Sequence, residues 1–332
     1  MVRVSVVLAV YNAAWCIERA LDSVLAQSRP VDEVLLCDDG STDGTPDLIE
    51  SRYGAAVTVL RLPHRNASAT RRVGTAQARG DWLALLDADD RWLPDKLERQ
   101  LAFIARHPEV RWCGTDGQLV GQQGVVRHSW LEDYFDPVRD LAGDLLPPLV
   151  ERCFPLVSAM LVEREAYHAV GGLDPEIVYS HDYDLWLRLA ARYPGGMLAE
   201  RLVEYYTGPG TLSRQIEARY RDDLDLMRRV ERGELGRRAG IQRAAAERAA
   251  ALEFDLALVA LRAGRAAETR ERLWRAAARG PWKRRLLAAG GALAPAWAHG
   301  RLMRSDWLKQ TVAGARREPQ RLGPEGRAER SR

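Results

Sequence analysis

The sequence is poor in cysteine, and its four cysteines form no pattern. Cys16, Cys37, Cys113 and Cys153 lie far apart, and no two of them make a CxxC pair. Disulfide frameworks and thiolate zinc sites need paired or closely spaced cysteines. We therefore expect reduced core thiols in a cytoplasmic protein and neither a disulfide frame nor a zinc site.

Long apolar runs are also missing. The apolar segment Val4–Val10 is short and is followed by Tyr11-Asn12, so it predicts a first β-strand rather than a signal peptide. The longest apolar stretch near the C-terminus, residues 286–298, holds 13 residues and includes Pro295. A membrane-spanning helix needs about 20 residues, so at most a peripheral contact with the inner face of the cytoplasmic membrane is expected.

Several catalytic signatures are absent as well. No GxGxxG follows the first strand, which argues against a nicotinamide dehydrogenase. A sugar nucleotidyltransferase should have a Gly-rich phosphate loop and a basic residue there, and the chain has Tyr11-Asn12. No Ser-His-Asp or Cys-His signature suggests a covalent nucleophile.

The composition is that of an ordinary folded protein, with 46% hydrophobic and 29% charged residues among 332. The net charge of +3 hides an asymmetry, because the chain from Gly240 onward carries 20 Lys and Arg against 9 Asp and Glu. Such a basic region suits nucleic acid, an acidic polymer or an anionic membrane surface, and equally a solvated helical face.

Strand-like and helix-like segments alternate in the first hundred residues. Strands are predicted at residues 4–10, 31–37, 57–62 and 82–86, and helices at 13–27, 45–52 and 68–79. This alternation predicts an α/β protein with a mostly parallel central sheet. Further strands are predicted at residues 110–115, 158–162 and 197–206, with a helix at 182–192. A helical hairpin is predicted at residues 249–278 with Gly264 at its turn, and a disordered tail from residue 316.

Acidic clusters follow two of these strands, where ligands bind in parallel sheets. Asp87-Ala88-Asp89-Asp90 suits Mg²⁺ or Mn²⁺, which prefer oxygen ligands and substrate phosphates, although a solvated turn that caps the next helix gives the same pattern. Asp38-Asp39-Gly40-Ser41 is either a plain Asx-type turn or a group that accepts hydrogen bonds from a nucleobase or ribose.

These clusters, with the opening Val4–Val10 and Tyr11-Asn12, resemble the family-2 glycosyltransferases of GT-A fold. The family usually has proline where Ala9 stands, then Tyr-Asn, the DDGS turn, an Ala-Arg-Asn-like helix start and a DxD motif. Residues 68–74, Ser-Ala-Thr-Arg-Arg-Val-Gly, occupy the third place, and Arg72 replaces the usual asparagine. The resemblance covers roughly residues 2–207 and implies a GT-A α/β/α sandwich with a C-terminal helical extension.

The resemblance implies roles for individual residues. Donor-nucleotide binding falls to Ala9, Tyr11, Asn12, Asp39, Arg71, Asp87 and Ala88. Tyr11 would lie against the nucleobase, Asp39 would bond to the base or ribose, and Arg71 would lie near the base or diphosphate. Asp89 would bind Mn²⁺ or Mg²⁺ directly, with Asp87 beside the cation or the ribose.

A second landmark is Gly171-Gly172-Leu173-Asp174 followed by His181-Asp182-Tyr183-Asp184. The family usually has Glu-Asp-x-Asp here, so His181 stands in the glutamate position and Asp182 matches the catalytic base. Without the other motifs, Asp182 would be an ordinary helix N-cap. His181 either orients the acceptor or is only a polar neighbour.

Two further residues have alternative roles. Trp92 either supports the DxD motif or lies near the acceptor. Arg214 belongs to a loop that is either a lid over the diphosphate or a plain surface loop.

The hypothesis is thus a metal-dependent inverting glycosyltransferase with a nucleoside-diphosphate sugar donor and a saccharide or lipid-linked acceptor, in bacterial cell-surface polysaccharide or glycolipid synthesis. Residues 1–215 would form the catalytic domain, with a nucleotide-binding half at 1–107 and an acceptor-binding half at 108–215, and residues 216–315 an accessory helical region. The alternatives are a sugar nucleotidyltransferase and a non-catalytic module on a degenerate transferase fold, for instance one that binds RNA. The non-catalytic alternative predicts missing carboxylates, and Asp39, Asp89 and Asp182 are present, so nucleic acid is not the expected partner.

Overall fold

A computed structural model describes residues 2–208, 215–279 and 320–321. The chain divides into two compact units. The first contains Met1–Leu145, Phe154–Thr211 and Arg321–Arg332, and the second contains Leu146–Cys153 and Leu212–Gln320. Arg214, residues 286–298 and nearly all of the predicted disordered tail lie outside the described residues.

The first part of the chain folds as regular strand–helix repeats. The elements are β1 (Val4–Val10), α1 (Ile17–Leu25), β2 (Glu33–Asp38), α2 (Thr45–Tyr53), β3 (Thr58–Arg61), α3 (Ala67–Gln77) and β4 (Trp82–Asp87). The strands lie in the order β3-β2-β1-β4 and all pair in parallel. This arrangement confirms the predicted parallel sheet.

The sheet becomes mixed beyond β4. The following elements are β5 (Arg91–Trp92), α4 (Lys96–Arg106), β6 (Trp112–Gly121), β7 (Gly124–Arg127), β8 (Phe135–Asp136), β9 (Leu141–Gly143), α5 (Leu146–Glu151, in the second unit), β10 (Leu161–Glu163), α6 (Arg164–Ala169), α7 (His181–Arg192) and β11 (Gly195–Tyr206). The sheet continues as β4-β10-β6-β11-β5, with β10 antiparallel to both of its neighbours and β11 parallel to β6. The parallel pairing therefore holds for the first half of the sheet and not throughout.

The core forms around the central strands of the sheet. Successive side chains of β1 are buried, including Val6, Val7 and Leu8 at 0% exposure. Such a continuous apolar run is typical of a parallel strand that is covered on both faces. Helix α3 comes unusually close to this strand at Gly74, where an added Cβ would lie 2.7 Å from Val7 Cγ1 and closer still to Cys37 Sγ. Only glycine permits that approach.

The second unit is helical in its described part. It contains α8 (Ile216–Glu231), α9 (Ala239–Arg262) and α10 (Ala266–Arg279). Gly264 has a φ of +73° between the last two helices, as expected for a glycine at the turn of the predicted helical hairpin. Among the described helices, none combines the length and the apolar character that crossing a bilayer would require.

Candidate functional site

The polar motifs meet along one edge of the parallel sheet because β1 lies between β2 and β4. In the two ladders Val10 is the partner of Asp38, and Ala9 is the partner of Asp87. The segments that follow the three strands are therefore neighbours. This is the convergence that the sequence predicted for the carboxyl ends of parallel strands.

Asn12 holds the loop after β2 in place. Its side-chain oxygen accepts a hydrogen bond from Thr42 N at 2.8 Å, and its backbone N–H donates to Ser41 Oγ at 2.8 Å. Its φ of +50° lies in the left-handed region, which asparagine tolerates better than most residues. In this structure Asn12 thus shapes the site, and its side-chain oxygen is already engaged.

Asp39 is buried at the centre of a second set of hydrogen bonds. Its Oδ1 accepts from Arg65 N at 2.9 Å and from Thr70 Oγ1 at 2.6 Å, and its Oδ2 lies 3.0 Å from His64 Nδ1. The His64 ring stacks on Tyr11 with a centroid distance of 4.3 Å. Tyr11 is 49% exposed, so the stacked pair offers a flat aromatic surface beside a fixed carboxylate.

Arg71 connects the acidic cluster to α7. It is only 4% exposed, and its two terminal amino groups contact Asp87 Oδ1 and His181 Nε2, the latter at 3.0 Å. Its Nε is buried and has no hydrogen-bond partner within the described part of the chain. The guanidinium that the sequence placed near the base or diphosphate is therefore already committed to two protein groups.

His181 is a buried link between helices, because its side chain is 6% exposed. Its Nδ1 lies 3.0 Å from the Val178 carbonyl oxygen, so this nitrogen donates, and Nε2 is left to accept from Arg71. Burial lowers the pKa of His181, which favours this neutral form. Asp182 is the next residue in the first turn of α7, and its side chain is half-buried.

Helix α3 is also tied to the loop that leads to α7. Arg72 donates to the carbonyl oxygens of Gly171 and Leu173 at 3.0 and 2.9 Å, and Ser68 Oγ donates to the carbonyl oxygen of Asp174 at 2.6 Å. Arg72 stands where the family usually has asparagine, and here it binds the Gly-Gly-Leu turn. One helix therefore touches the turn after β2, the acidic cluster and the segment before Asp182.

The acidic cluster is electrostatically strained. Burial and the charge of Asp87 raise the pKa of Asp89 to about 6. Asp90 is 1% exposed, and burial, followed by the charges of Asp87 and Asp89, raises its pKa well above the usual value. Ser158 Oγ and Tyr206 N donate hydrogen bonds to the Asp90 carboxylate.

This cluster suits a divalent cation whose coordination shell is completed by oxygen atoms of the substrate. Neither Asp89 nor Asp90 has an ion-pair partner within 4 Å in the described ranges, so a bound cation would relieve their mutual repulsion. The described residues contain no cluster of three or more His, Cys, Asp or Glu with metal-binding geometry. Mg²⁺ and Mn²⁺ commonly bind one or two carboxylates together with phosphates and water. Asp87 and Asp89 can provide these carboxylates.

Trp92 and Ala88 belong to the support of the cluster. Trp92 is 1% exposed, and its Nε1 donates to the Ser158 carbonyl oxygen at 2.7 Å. A buried indole is not available to an acceptor, so the structure corrects the prediction of acceptor contact and leaves the supporting role. Ala88 packs against the hydrophobic core, and Ala9 is partly exposed at the end of β1.

Sequence reasoning missed Arg19 and Trp15, which lie near the cluster beside Tyr206, a residue of the candidate lid segment. Arg19 NH2 donates to the Asp89 carbonyl oxygen at 2.6 Å, and its guanidinium lies 5.8 Å from the centre of the Tyr206 ring. Trp15, which is 64% exposed, lies 5.7 Å from the same ring. No motif marks these positions, so only the folded arrangement identifies them.

Comparisons with known proteins agree with this architecture. The sequence pattern of Glycosyl transferase family 2 matches residues 5–159. The putative teichuronic acid biosynthesis glycosyltransferase TuaG of Bacillus subtilis is 40% identical over 206 residues, which cover 61% of this chain and 78% of TuaG. Five other curated relatives, at 27 to 30% identity, are matched over 34 to 66% of their own length.

Solved structures show the same fold. Residues 1–349 of TarS from S. aureus, in complex with UDP, align with a TM-score of 0.63 and 16% identity over 94% of this chain and 92% of that chain. The mannosyltransferase PcManGT from Pyrobaculum calidifontis, in complex with GDP-Man and Mn²⁺, aligns with a TM-score of 0.57 and 17% identity over 95% of this chain and 84% of that one. The motifs, the GT-A-type fold and the relatives agree, and the chain belongs to glycosyl transferase family 2.

Proposed function

We propose that this glycosyltransferase moves a sugar from a nucleoside diphosphate to an acceptor hydroxyl with inversion at the anomeric carbon. The observation that carries the proposal is the position of α3. Its Thr70 bonds to Asp39, and its Arg71 joins Asp87 to His181, the residue before Asp182. Three acidic motifs from distant parts of the sequence are thereby held around one helix. This geometry favours a catalytic site over a non-catalytic module, and family membership argues against a nucleotidyltransferase.

The donor nucleotide would bind across the ends of β1, β2 and β4. The stacked rings of Tyr11 and His64 suit an aromatic nucleobase, and Asp39 would anchor the base or ribose beside them. Ala9 and Ala88 would line the path of the ribose and diphosphate because their small side chains leave room there. The similarity to TarS and PcManGT, which were solved with UDP and with GDP-Man, supports a nucleotide in this position.

Asp89 and Asp87 would hold Mn²⁺ or Mg²⁺ together with the diphosphate. When bound, the cation supplies Lewis-acid stabilisation of the negative charge that the leaving diphosphate gains. Arg71 orients the Asp87 carboxylate, because its guanidinium is fixed on the other side by a neutral His181. A protonated histidine at this place would face the guanidinium with a like charge.

Asp182 would act as the general base. A hydroxyl group is a weak nucleophile near neutral pH, so a positioned carboxylate must accept its proton as the oxygen attacks the anomeric carbon. Asp182 sits in the first turn of α7, half-buried and next to the His181–Arg71 link. A single in-line displacement of this kind inverts the anomeric centre and needs no covalent intermediate.

The assignment of domains and partners belongs to the same proposal. Residues 1–215 would form the catalytic domain and residues 216–315 an accessory helical region. The acceptor would be a saccharide or lipid-linked saccharide of the bacterial cell surface, in keeping with the naming of TuaG as a teichuronic acid biosynthesis glycosyltransferase. The basic C-terminal region would contact anionic lipid at the inner membrane face, and failure of the protein to float with anionic liposomes at low salt would remove that contact.

Thermal stabilisation by nucleotides tests the donor site directly. We expect one of UDP, GDP, dTDP or CDP to raise the melting temperature, and Mn²⁺ to enlarge the shift, because a ligand that binds only the folded state stabilises it. Asp89→Asn should lose the Mn²⁺-dependent part of the shift. The matched control Asp47→Asn, an exposed acid on α2, should keep it. If no nucleotide stabilises the wild-type protein with or without metal, the proposed function is wrong.

A further inference from the structure

The buried arginine of the site is poorly placed to bind phosphate. Both terminal amino groups of Arg71 are engaged, one by Asp87 and one by His181, and the side chain is 4% exposed. The two contacts use two of its five N–H donors, and the burial of the side chain keeps the remaining donors away from a ligand in solution. A nucleoside diphosphate carries more negative charge than one divalent cation neutralises, so a second, accessible cation near the acidic cluster is chemically favourable.

Arg19 is an arginine that is both exposed and close to the acidic cluster. It lies in the first turn of α1, its side chain is exposed, and its NH2 donates to the carbonyl oxygen of Asp89 at 2.6 Å. The guanidinium carbon lies 5.8 Å from the centre of the Tyr206 ring, and the Tyr206 amide is itself bonded to the Asp90 carboxylate at 2.8 Å. The arginine is therefore held beside the acidic cluster from two sides.

The charge of Arg19 is not used in an ion pair with any residue that the structure describes. Within residues 2–208 and 215–279, no carboxylate oxygen lies within 4 Å of its guanidinium, whereas the neighbouring Arg52 contacts Glu18 of the same helix at 2.6 Å. A guanidinium carries five N–H donors in a planar fork that matches phosphate oxygens. The hydrogen bond to Asp89 occupies one of these donors and leaves the others to a ligand.

We propose that Arg19 is a phosphate-binding residue of the donor site, which holds the diphosphate of a nucleotide beside Asp89. The inference rests on the proposed function and adds a residue from α1 to the donor site. The Asp89 carbonyl and the Tyr206 ring fix the guanidinium, and Trp15 packs against that ring at 5.7 Å. The phosphate contact is expected to persist without metal, since it depends on the side chain alone.

Binding of UDP, UMP and uridine to wild type, Arg19→Gln and Arg19→Lys tests this role by calorimetry, in EDTA and in Mn²⁺. The guanosine series replaces them if GDP is the better ligand. Glutamine keeps a donor for the Asp89 carbonyl and removes the charge. We expect Arg19→Gln to weaken UDP binding about tenfold, since a charge-assisted hydrogen bond is worth about that factor, and to change uridine binding less than about twofold. Lysine should recover part of the loss.

Arg52→Ala is the matched control, because it removes an exposed arginine that also contacts α1 but does so at Glu18. It should leave all three affinities unchanged. The proposal is overturned if Arg19→Gln binds UDP as wild type does, or if UDP and uridine affinities fall by the same factor, which would indicate a purely structural role. If wild type binds no nucleotide, the proposed function fails first and this inference fails with it.

Discussion

Two buried acidic sites of this protein, one in each unit, treat their charges differently. In the second unit, Glu253 is 4% exposed and contacts Arg228 at 2.6 Å and Arg272 at 3.0 Å. In the first unit, Asp89 and Asp90 are grouped with Asp87, and in the described part of the chain neither of these two is paired with a cation. The charge of Glu253 is compensated by arginines, whereas the acids of the cluster in the sheet unit repel one another.

The difference distinguishes an acid whose charge is balanced within the fold from acids that fit the proposed cation site. A buried carboxylate with cationic partners on neighbouring helices stabilises the native packing only as long as its partners stay. A cluster of unpaired carboxylates destabilises the protein alone and gains when a cation binds, which is the usual sign of a functional site. The first unit also buries Lys96, whose Nζ contacts Gln100 Oε1 and the Trp92 ring.

The largest expected effect concerns the proposed base. Asp182→Asn should reduce sugar transfer about 100- to 10,000-fold, because the amide cannot accept the proton of the acceptor hydroxyl. Nucleotide affinity should stay near wild type. Release of nucleoside diphosphate from the donor and calorimetric binding measure the two quantities. Glu176→Gln, an exposed acid in the preceding loop, is the control, and normal turnover by Asp182→Asn would remove this residue from the role.

The second expected effect tests the compensated acid. Glu253→Gln should lower the free energy of unfolding by about 3 kcal/mol, because it removes the buried carboxylate that Arg228 and Arg272 share. Urea unfolding measures the loss. Glu271→Gln, which removes an exposed partner of Arg275, should cost far less. Equal stability of the two variants would show that the second unit does not depend on its buried ion pairs.

The third effect is a pH dependence of stability at Lys96. Burial lowers the pKa of this amine from 10.5 to about 7, so the folded protein binds the proton less readily than the unfolded chain does. With respect to this amine, the folded protein is therefore most stable above pH 10.5, where the amine is neutral in both states. The free energy of unfolding decreases as the pH falls from 10.5 toward 7, because only the unfolded chain takes up the proton in this range. Lys96→Met removes this dependence.

The free energy of unfolding of Lys96→Met, relative to wild type, should therefore be about 2 kcal/mol more favourable at pH 6.5 than at pH 8.5. The fixed cost of losing the Gln100 hydrogen bond cancels in this difference. Arg99→Met, on the exposed face of the same helix, should show no such change with pH. A pH-independent difference for Lys96→Met would mean that the amine remains charged in the folded state.

The smallest effect concerns the uncompensated acids themselves. Asp89→Asn should raise the stability of the ligand-free protein by about 1 kcal/mol, since it removes a repulsive charge from a half-buried position. Differential scanning calorimetry without divalent metal measures the change. Asp47→Asn loses an attractive contact with Arg61 and should not stabilise. A lower melting temperature for Asp89→Asn would contradict the comparison between the units.

The sequence predicted the sheet edge well because its signals are local. The apolar runs of β1 and β4 and the acidic turns that follow them lie within a few residues of each other, and parallel topology then brings their ends together. The start of α1 was predicted four residues early. The structure begins this helix at Ile17 because the amides of Ala13 and Ala14 are taken by the side chains of Thr45 and Asp43.

The rest of the site depends on contacts that no local pattern encodes. Arg19 and Asp89 are 70 residues apart, and Arg71 and His181 are 110 apart. His64 has no motif of its own, and its position is known only once its ring is seen on Tyr11. Trp92 illustrates the opposite case, because its motif suggested a functional surface while its indole is buried.

The absence of a side chain at Gly74 determines how closely α3 approaches the sheet. The α3 backbone rests directly on Val7 and Cys37 because nothing projects from the helix at that point. Thr70, Arg71 and Arg72 lie within one turn of it, and each anchors to a different part of the first unit. The spacing between helix and sheet thus sets the position of all three anchors, so a larger side chain at Gly74 would displace the proposed sites for nucleotide, cation and acceptor together.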